Sequence, residues 1–160
     1  SSTSRGLGDV YKRQTQQGEK LNIVKAVRLS LEIFKEKHIV FESNIDRLVI
    51  NIDRPQIVRI MTNLIKNAIQ ACENNESPLI KVSIKKMSKT VRIIVKDNGS
   101  GIPLNIRKNI FEPNFTTKSG GMGLGLGMVK NLVNSYEGKI DFESKINIGT
   151  SFKITFPISD

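Results

Sequence analysis

The sequence holds a single cysteine, Cys72, which excludes a disulfide framework and fits a reducing compartment. Cys72 falls on an apolar helical stripe and reads as a small core hydrophobe. The single histidine, His38, stands at a helix-to-strand join with no cluster of possible ligands or catalytic partners around it, so neither a metal nor a phosphoacceptor role is assigned to it. No apolar run is long enough to span a membrane and no signal-peptide pattern is present, so a cytoplasmic segment without membrane contact is expected. Acidic residues are few, 15 against 25 Lys and Arg, and the net charge is +10. That excess raises the question of nucleic acid. Aromatics make up only 6% of the chain, and none interleaves with the one dense basic cluster, Lys81, Lys85, Lys86, Lys89 and Arg92. The cluster therefore reads as a solvated strand face and not as a dedicated nucleic-acid surface. Attraction to small polyanions, nucleotides included, is consistent with the charge.

What is present suits one domain: 160 residues, 38% of them apolar. Residues 1–14 lack apolar periodicity, and SRGLGDVYKRQ resembles the read-through of a sequencing adapter. They are expected to be a non-native or disordered segment, with the domain proper at 15–160 and a parent protein that is longer upstream.

The most regular stretch is QIVRIMTNLIKNAIQAC, residues Gln56 to Cys72. Ile57, Ile60, Met61, Leu64, Ile65, Ala68, Ile69 and Cys72 recur at helical spacing. Asp53-Arg54-Pro55 supplies an N-cap and a first-turn proline. Beside the apolar stripe runs a polar one, Asn63, Lys66, Asn67 and Gln70. Asparagine is a poor helix former, so two of them one turn apart suggest either a helix that holds something polar or an ordinary solvated face.

Around this helix the pattern alternates between periods. Leu21, Val24, Val27, Leu31 and Phe34 predict a helix from about Ile23 to Lys37. Ile39–Glu42 and Leu48–Ile52 read as strands on either side of a Ser43-Asn44 turn. Ile80, Val82 and Ile84 alternate with polar residues and turn at Ser88-Lys89-Thr90 into Val91–Lys96, a hairpin. That strand runs into Asp97-Asn98-Gly99-Ser100-Gly101-Ile102-Pro103. A carboxylate at a strand end followed by two glycines can accept from an amino group while letting backbone approach a flat ligand, and it can equally be a plain turn. A short helix is expected over Leu104–Ile110. Then come Phe111–Lys118 and the glycine-rich Ser119–Gly127, which feeds a helix from Met128 to Tyr136 capped by Gly138. The glycine loop lacks the G-x-x-x-x-G-K-[ST] order of a P-loop, although N–H groups at a helix start suit phosphate. Gly138–Ser144 and Gly149–Pro157 alternate as a final hairpin.

The order of these motifs resembles the ATP-binding catalytic domain of sensor histidine kinases, within the GHKL ATPase superfamily. NLIKNA corresponds to the N box of that family, DNGSGI to its G1 box, FEPNFTTK to its F box, GMGLGLG to its G2 box and GTSF to its last glycine-threonine turn. The resemblance covers about Glu19 to Ile158. It implies an α+β two-layer sandwich of the Bergerat type, a mixed, mostly antiparallel sheet of about five strands with about three helices on one face.

The resemblance also implies roles. ATP and Mg²⁺ are the expected ligands, with Asn67 the metal ligand through its amide oxygen. Lys66 meets the phosphates, and Asp97 accepts from the adenine amine. Gly99, Gly101 and Ile102 border the base, with the two glycines giving it room, and Thr150 supports the carboxylate. Gly121, Gly123 and Gly125 offer N–H groups to phosphate, while Leu124 and Leu126 pack that loop onto the core. Thr116, Thr117 and Lys118 belong to a lid, with Lys118 reaching the γ-phosphate. Asn63, Lys66 and Lys118 are the expected catalytic residues. Gyrase-like relatives carry a glutamate where Asn63 stands. An amide is no base, so slow hydrolysis and transfer to a histidine are expected. Gly127 replaces the alanine of many members, a change expected only to loosen the helix start. The acceptor-histidine helix is absent. The expected partners are therefore a histidine-bearing dimerisation domain, through which any homodimer forms, and a response regulator. Two other readings compete: a nucleotide-binding module without transfer, and a serine kinase of the anti-sigma type.

Overall fold

The computed structural model describes residues 18–36, 38–116 and 125–158. Residues 1–14 lie outside them. Among the described residues no helix is long and apolar enough to cross a membrane.

The described residues form three helices and seven strands: β1 (Lys20–Asn22), α1 (Ile23–Leu31), β2 (Ile39–Ser43), β3 (Val49–Asn51), α2 (Arg54–Ala71), β4 (Ile80–Lys86), β5 (Thr90–Asp97), a 3₁₀ turn (Leu104–Asn109), α3 (Leu126–Ser135), β6 (Lys139–Lys145) and β7 (Gly149–Pro157). The main sheet has five strands in the order β2-β4-β5-β7-β6, and β1 and β3 form a separate two-stranded ribbon. Among the described residues only the β2–β4 pair is parallel. The architecture is the expected α+β sandwich with a mixed, mostly antiparallel sheet. Period-two alternation gives that sheet two unlike faces. Ile80, Val82, Ile84, Val91, Ile93, Val95, Phe152, Ile154 and Phe156 are buried on the helix side. On the other side Lys81 stands opposite Lys96 and Lys85 opposite Arg92. Lys81 reaches Glu42 at 3.3 Å, a solvent-exposed pair of little energetic weight.

Helix α2 is the hub, and its stripe does what its spacing predicts. Ile57, Ile60, Met61, Leu64, Ile65 and Ala68 are buried, as is Cys72 just beyond. Full burial is worth roughly 1.5–3 kcal/mol for each of the large residues. Ile69 sits at the edge of the stripe, half-buried.

Several local expectations are corrected. Helix α1 stops at Leu31, because the N–H groups of Glu32 and Phe34 bond three residues back, to Leu29 and Leu31, and tighten the end. The strands read on either side of Ser43-Asn44 span Ile39–Ser43 and Val49–Asn51, and β2 pairs with β4 while β3 pairs with β1. Between them Ser43 Oγ closes a local turn with the backbone of Ile45. Gly138 is not the left-handed cap of α3. Glu137 takes that conformation (φ 62°), and the Gly138 N–H returns to the Val133 carbonyl at 2.9 Å. Gly138 is required for another reason: a Cβ there would lie 2.8 Å from the Phe156 ring. Gly127 likewise does more than loosen a helix, since it lies against the Glu112 carbonyl, 3.0 Å from where a Cβ would stand.

Asp53 holds the N-cap backbone position of α2 without capping through its side chain. Its carboxylate instead accepts the Tyr136 hydroxyl at 3.0 Å, tying the end of α3 to the start of α2. Burial and this bond push the Tyr136 pKa up to about 12. Tyr136→Phe is expected to cost about 1.5–3 kcal/mol in urea unfolding, the range for a hydrogen bond to a charged acceptor, with the fold unchanged. An unaltered midpoint would remove this tie from the stability account.

Candidate functional site

The site begins where β5 ends. Asp97 is the last residue of the strand and only 6% exposed. Its Oδ1 accepts the N–H of Gly99 at 2.8 Å and the N–H of Thr150, its register partner on β7, at 3.3 Å. Among the described residues Oδ2 has no hydrogen bond. Burial raises the carboxyl pKa, and the two N–H donors pull it part of the way back.

The loop after Asp97 docks on the last turn of α2. The Ser100 N–H donates to the Ala71 carbonyl at 3.0 Å, satisfying an acceptor the helix end leaves open. A Cβ on Gly99 would lie 2.5 Å from that same carbonyl, and one on Gly101 (φ 81°) would lie 2.5 Å from the Lys145 carbonyl. Both glycines let backbone approach backbone closely, and Gly101 also lines the cleft described next. Asn98 is the bracket of the loop. Its side chain accepts from Leu79 N–H at 2.8 Å and donates to the Ser77 carbonyl at 3.0 Å. Cys72 lies beneath, its thiol pKa raised by burial and by the charge of Asp97.

Between α2, this loop and the sheet end lies a cleft of about 770 Å³. Of the expected residues, Asn67, Asp97, Gly101, Ile102, Thr116 and Thr150 line it. Gln70, one turn beyond Asn67, lines it as well, so the lower half of the polar stripe of α2 faces a cavity. Asn63 is not in the described lining: it lies close beside Gly125, the left-handed N-cap of α3 (φ 57°), where an added Cβ would fall 2.8 Å from its Nδ2. Lys66 is exposed, outside the described lining. Leu126, the first residue of α3, is fully buried. Thr117, Lys118, Gly121, Gly123 and Leu124 lie outside the described residues.

Residues not singled out in the sequence complete the wall. Phe115, Ile146 and Phe152 supply apolar surface. Phe111 stacks edge-on to Phe142 at 5.9 Å and Phe142 lies 5.7 Å from Phe152, anchoring the segment before residue 117 to the sheet. Ser144 lies behind Thr150, its hydroxyl 2.8 Å from that of Thr150. No cluster of three or more His, Cys, Asp or Glu that could hold a metal ion occurs among the described residues.

An apolar slot with one buried carboxylate and a few amides and hydroxyls suits a flat heteroaromatic ligand. Residues 52–160 match the family model described as histidine kinase-, DNA gyrase B- and HSP90-like ATPase. The chain belongs to this ATPase family. Sporulation kinase A of Bacillus subtilis (strain 168) is 38% identical over 112 residues, which are 70% of this chain and 18% of that protein. The catalytic domain of histidine kinase ThkA superposes with a TM-score of 0.77 at 32% identity, over 88% of this chain and 95% of that one. ThkA in complex with the response regulator protein TrrA superposes with a TM-score of 0.73 at 29% identity, over 88% of this chain and 42% of that one. The chain spans between 18% and 26% of the lengths of the curated relatives it matches. Family membership makes ATP the ligand class of the domain, and further relatives carry the names putative sensor histidine kinase NtrY-like of Rickettsia bellii (36% identical over 75% of this chain and 20% of that protein) and signal transduction histidine-protein kinase AtoS of Escherichia coli (35% identical over 69% of this chain and 18% of that protein).

Proposed function

We propose that this chain is the catalytic domain of a cytoplasmic histidine kinase module, which passes the γ-phosphate of Mg·ATP to a histidine on a separate dimerisation domain, for onward transfer to a response regulator. The observation that carries the reading is convergence: Asn67 from α2, Asp97 from β5 and Thr150 from β7, far apart in sequence, line one cleft. In this reading the adenine amine donates to Asp97, with Ile102 and Gly101 against the base. The phosphates run toward Asn67, Lys66 and the start of α3. Gly121, Gly123, Gly125, Leu124 and Leu126 form the phosphate loop, and Thr116, Thr117 and Lys118 the lid.

The donor set fits Mg²⁺ held jointly by protein and triphosphate. Asn67 brings a neutral oxygen donor, and no acidic cluster among the described residues competes with phosphate for the ion. Mg²⁺, when bound, neutralises charge on the phosphates. Transfer forms a P–N bond to the imidazole as the bond from the γ-phosphorus to its bridging oxygen breaks; ADP leaves and the imidazole proton is released. No carboxylate stands at position 63 to activate water, so ATP persists for transfer.

The test mixes the chain with Mg·ATP labelled at the γ-phosphate and a separately supplied acceptor-histidine domain. Acid-labile label on that domain is the expected result. Acid-stable label would indicate a serine kinase, and tight nucleotide binding with no transfer a binding module; either overturns the reading. Asn67→Ala is expected to keep partial nucleotide affinity, to lose the Mg²⁺ dependence of binding and to abolish transfer. Full transfer by Asn67→Ala would remove it from the metal role.

A further inference from the structure

The polar stripe of α2 does not stop where the helix does. Past Ala71 the Glu73 N–H donates to the Gln70 carbonyl at 3.3 Å, a bond three residues back, so the chain tightens and keeps turning. At that pitch side chains three apart stand one above the other, which puts Glu73 directly beyond Gln70. Asn67, Gln70 and Glu73 all line the cleft, as three rungs along one side of it.

The neighbours of this ladder fix its direction. At the Glu73 end the Ala71 carbonyl accepts the Ser100 N–H at 3.0 Å and Gly99 packs against it, so this end lies beside the loop that follows Asp97. At the other end Asn63, one turn before Asn67, lies close to Gly125 at the start of α3. The acceptor for the base is therefore near the last rung, and the start of α3, where the phosphates run, is near the first. Six residues at the helical rise separate Asn67 from Glu73 by about 9 Å along the axis. Between the base and the phosphates of a nucleotide lies the ribose, and Gln70 and Glu73 are the rungs left to meet it.

Glu73 is out of place for a residue that only faces solvent. It brings negative charge into a cleft whose ligand class is a polyanion, in a chain of net charge +10. It also stands just past the C-terminus of α2, where the helix dipole favours cations, and the last turn of α2 carries no basic residue. Both placements are unfavourable for an anion, and a ligand that brings hydrogen-bond donors offsets them. The phosphates bring none, and the adenine amine goes to Asp97. The ribose brings two, its adjacent 2′ and 3′ hydroxyls, and an ionised carboxylate is an acceptor with two oxygens. Carboxylates meet ribose hydroxyls in this way at dinucleotide sites.

We infer that Glu73 reads the ribose hydroxyls and makes the cleft selective for ribonucleotides over deoxyribonucleotides. The inference rests on the nucleotide reading above and adds to it a residue in contact with the sugar.

Calorimetric titration with ADP, 2′-deoxy-ADP and 3′-deoxy-ADP, at fixed Mg²⁺ and ionic strength, tests this. In the wild type at least one deoxy ligand is expected to bind about tenfold more weakly than ADP, near the low end for a hydrogen bond to a charged group because Glu73 is exposed. In Glu73→Ala the three ligands are expected to bind within about twofold of one another, with ADP weakened and the deoxy ligands little changed. Glu73→Gln keeps one acceptor oxygen without the charge, and an intermediate ratio is expected of it. A carboxylate that merely repels phosphate behaves differently: its removal tightens all three ligands together and leaves their ratio as it was. That result, or a wild type that binds the three alike, would overturn the inference. Wild-type protein that binds none of the three would overturn the nucleotide reading itself.

Discussion

Asp97→Asn is expected to weaken ADP binding by about 100-fold or more, the range for losing a charge-assisted hydrogen bond and facing a donor with a donor. The fold is expected to survive, and its stability at neutral pH to rise. The sign follows from the buried carboxyl. Its pKa is raised in the folded protein, above the ordinary 3.8, by burial that outweighs the Gly99 and Thr150 N–H groups. A raised value means that the folded state holds the proton more tightly than the unfolded chain. Its contribution to stability is then full below the unfolded pKa and is lost as pH rises through the folded one. At neutral pH the ionised carboxylate costs stability, and an amide, which can still accept both N–H bonds, does not carry that cost. Binding runs the other way, because the base amine needs the charged acceptor. ADP affinity is expected to fall on acidification, beginning above the ordinary aspartate range. Calorimetric titrations of both proteins across the acid range, with urea unfolding beside them, check the pair of effects. Wild-type affinity in Asp97→Asn, or a flat pH profile, would remove Asp97 from base recognition.

Gly149→Ala is expected to cost about 3–5 kcal/mol, the sum of left-handed strain and a forced backbone shift, and so a large share of a typical domain stability. Gly149 opens β7 with φ 144°, a conformation closed to side chains, and an added Cβ would fall on the carbonyl oxygen of Asp97. Neither obstacle yields to a rotamer change, because both are backbone. The damage lands on the site as well, since Thr150, the next residue, supplies an N–H to Asp97. Unfolding by urea, read by circular dichroism, measures the loss. A midpoint equal to that of wild type would show the close approach to be relaxed in solution.

Much of this was legible before the fold. The stripe of α2 and both hairpins follow from periodicity alone, because each element buries one face. Alternation identifies a strand without naming its partner, so nothing in 39–42 announced that β2 pairs in parallel with β4. Within the site, Asp97 was marked by its place between an apolar strand and two glycines. Ser144 carried a signal that went unused: the inward positions Ile140 and Phe142 are followed by a serine, as Phe152 is preceded by a threonine and Val95 followed by an aspartate. Three alternating strands that each break to a polar residue at an inward position announce a shared polar row. The contact of Asn63 with Gly125 had no such signal, because it depends on the tertiary approach of α3 to α2. The exposure of Lys66 likewise depends on where the cleft ends.

The one-sided sheet has a consequence for how the +10 charge acts. Lys81, Lys85, Arg92, Lys96 and Lys153 project from the face that no helix covers. Their side chains reach solvent, where salt screens a charge over a Debye length of about 8 Å at physiological ionic strength. These cations shape solubility and the approach of acidic partners from behind, and they leave the intrinsic affinity of the cleft nearly untouched. Charge on that outer surface is free to drift, while the row of three polar residues on the inner one is not.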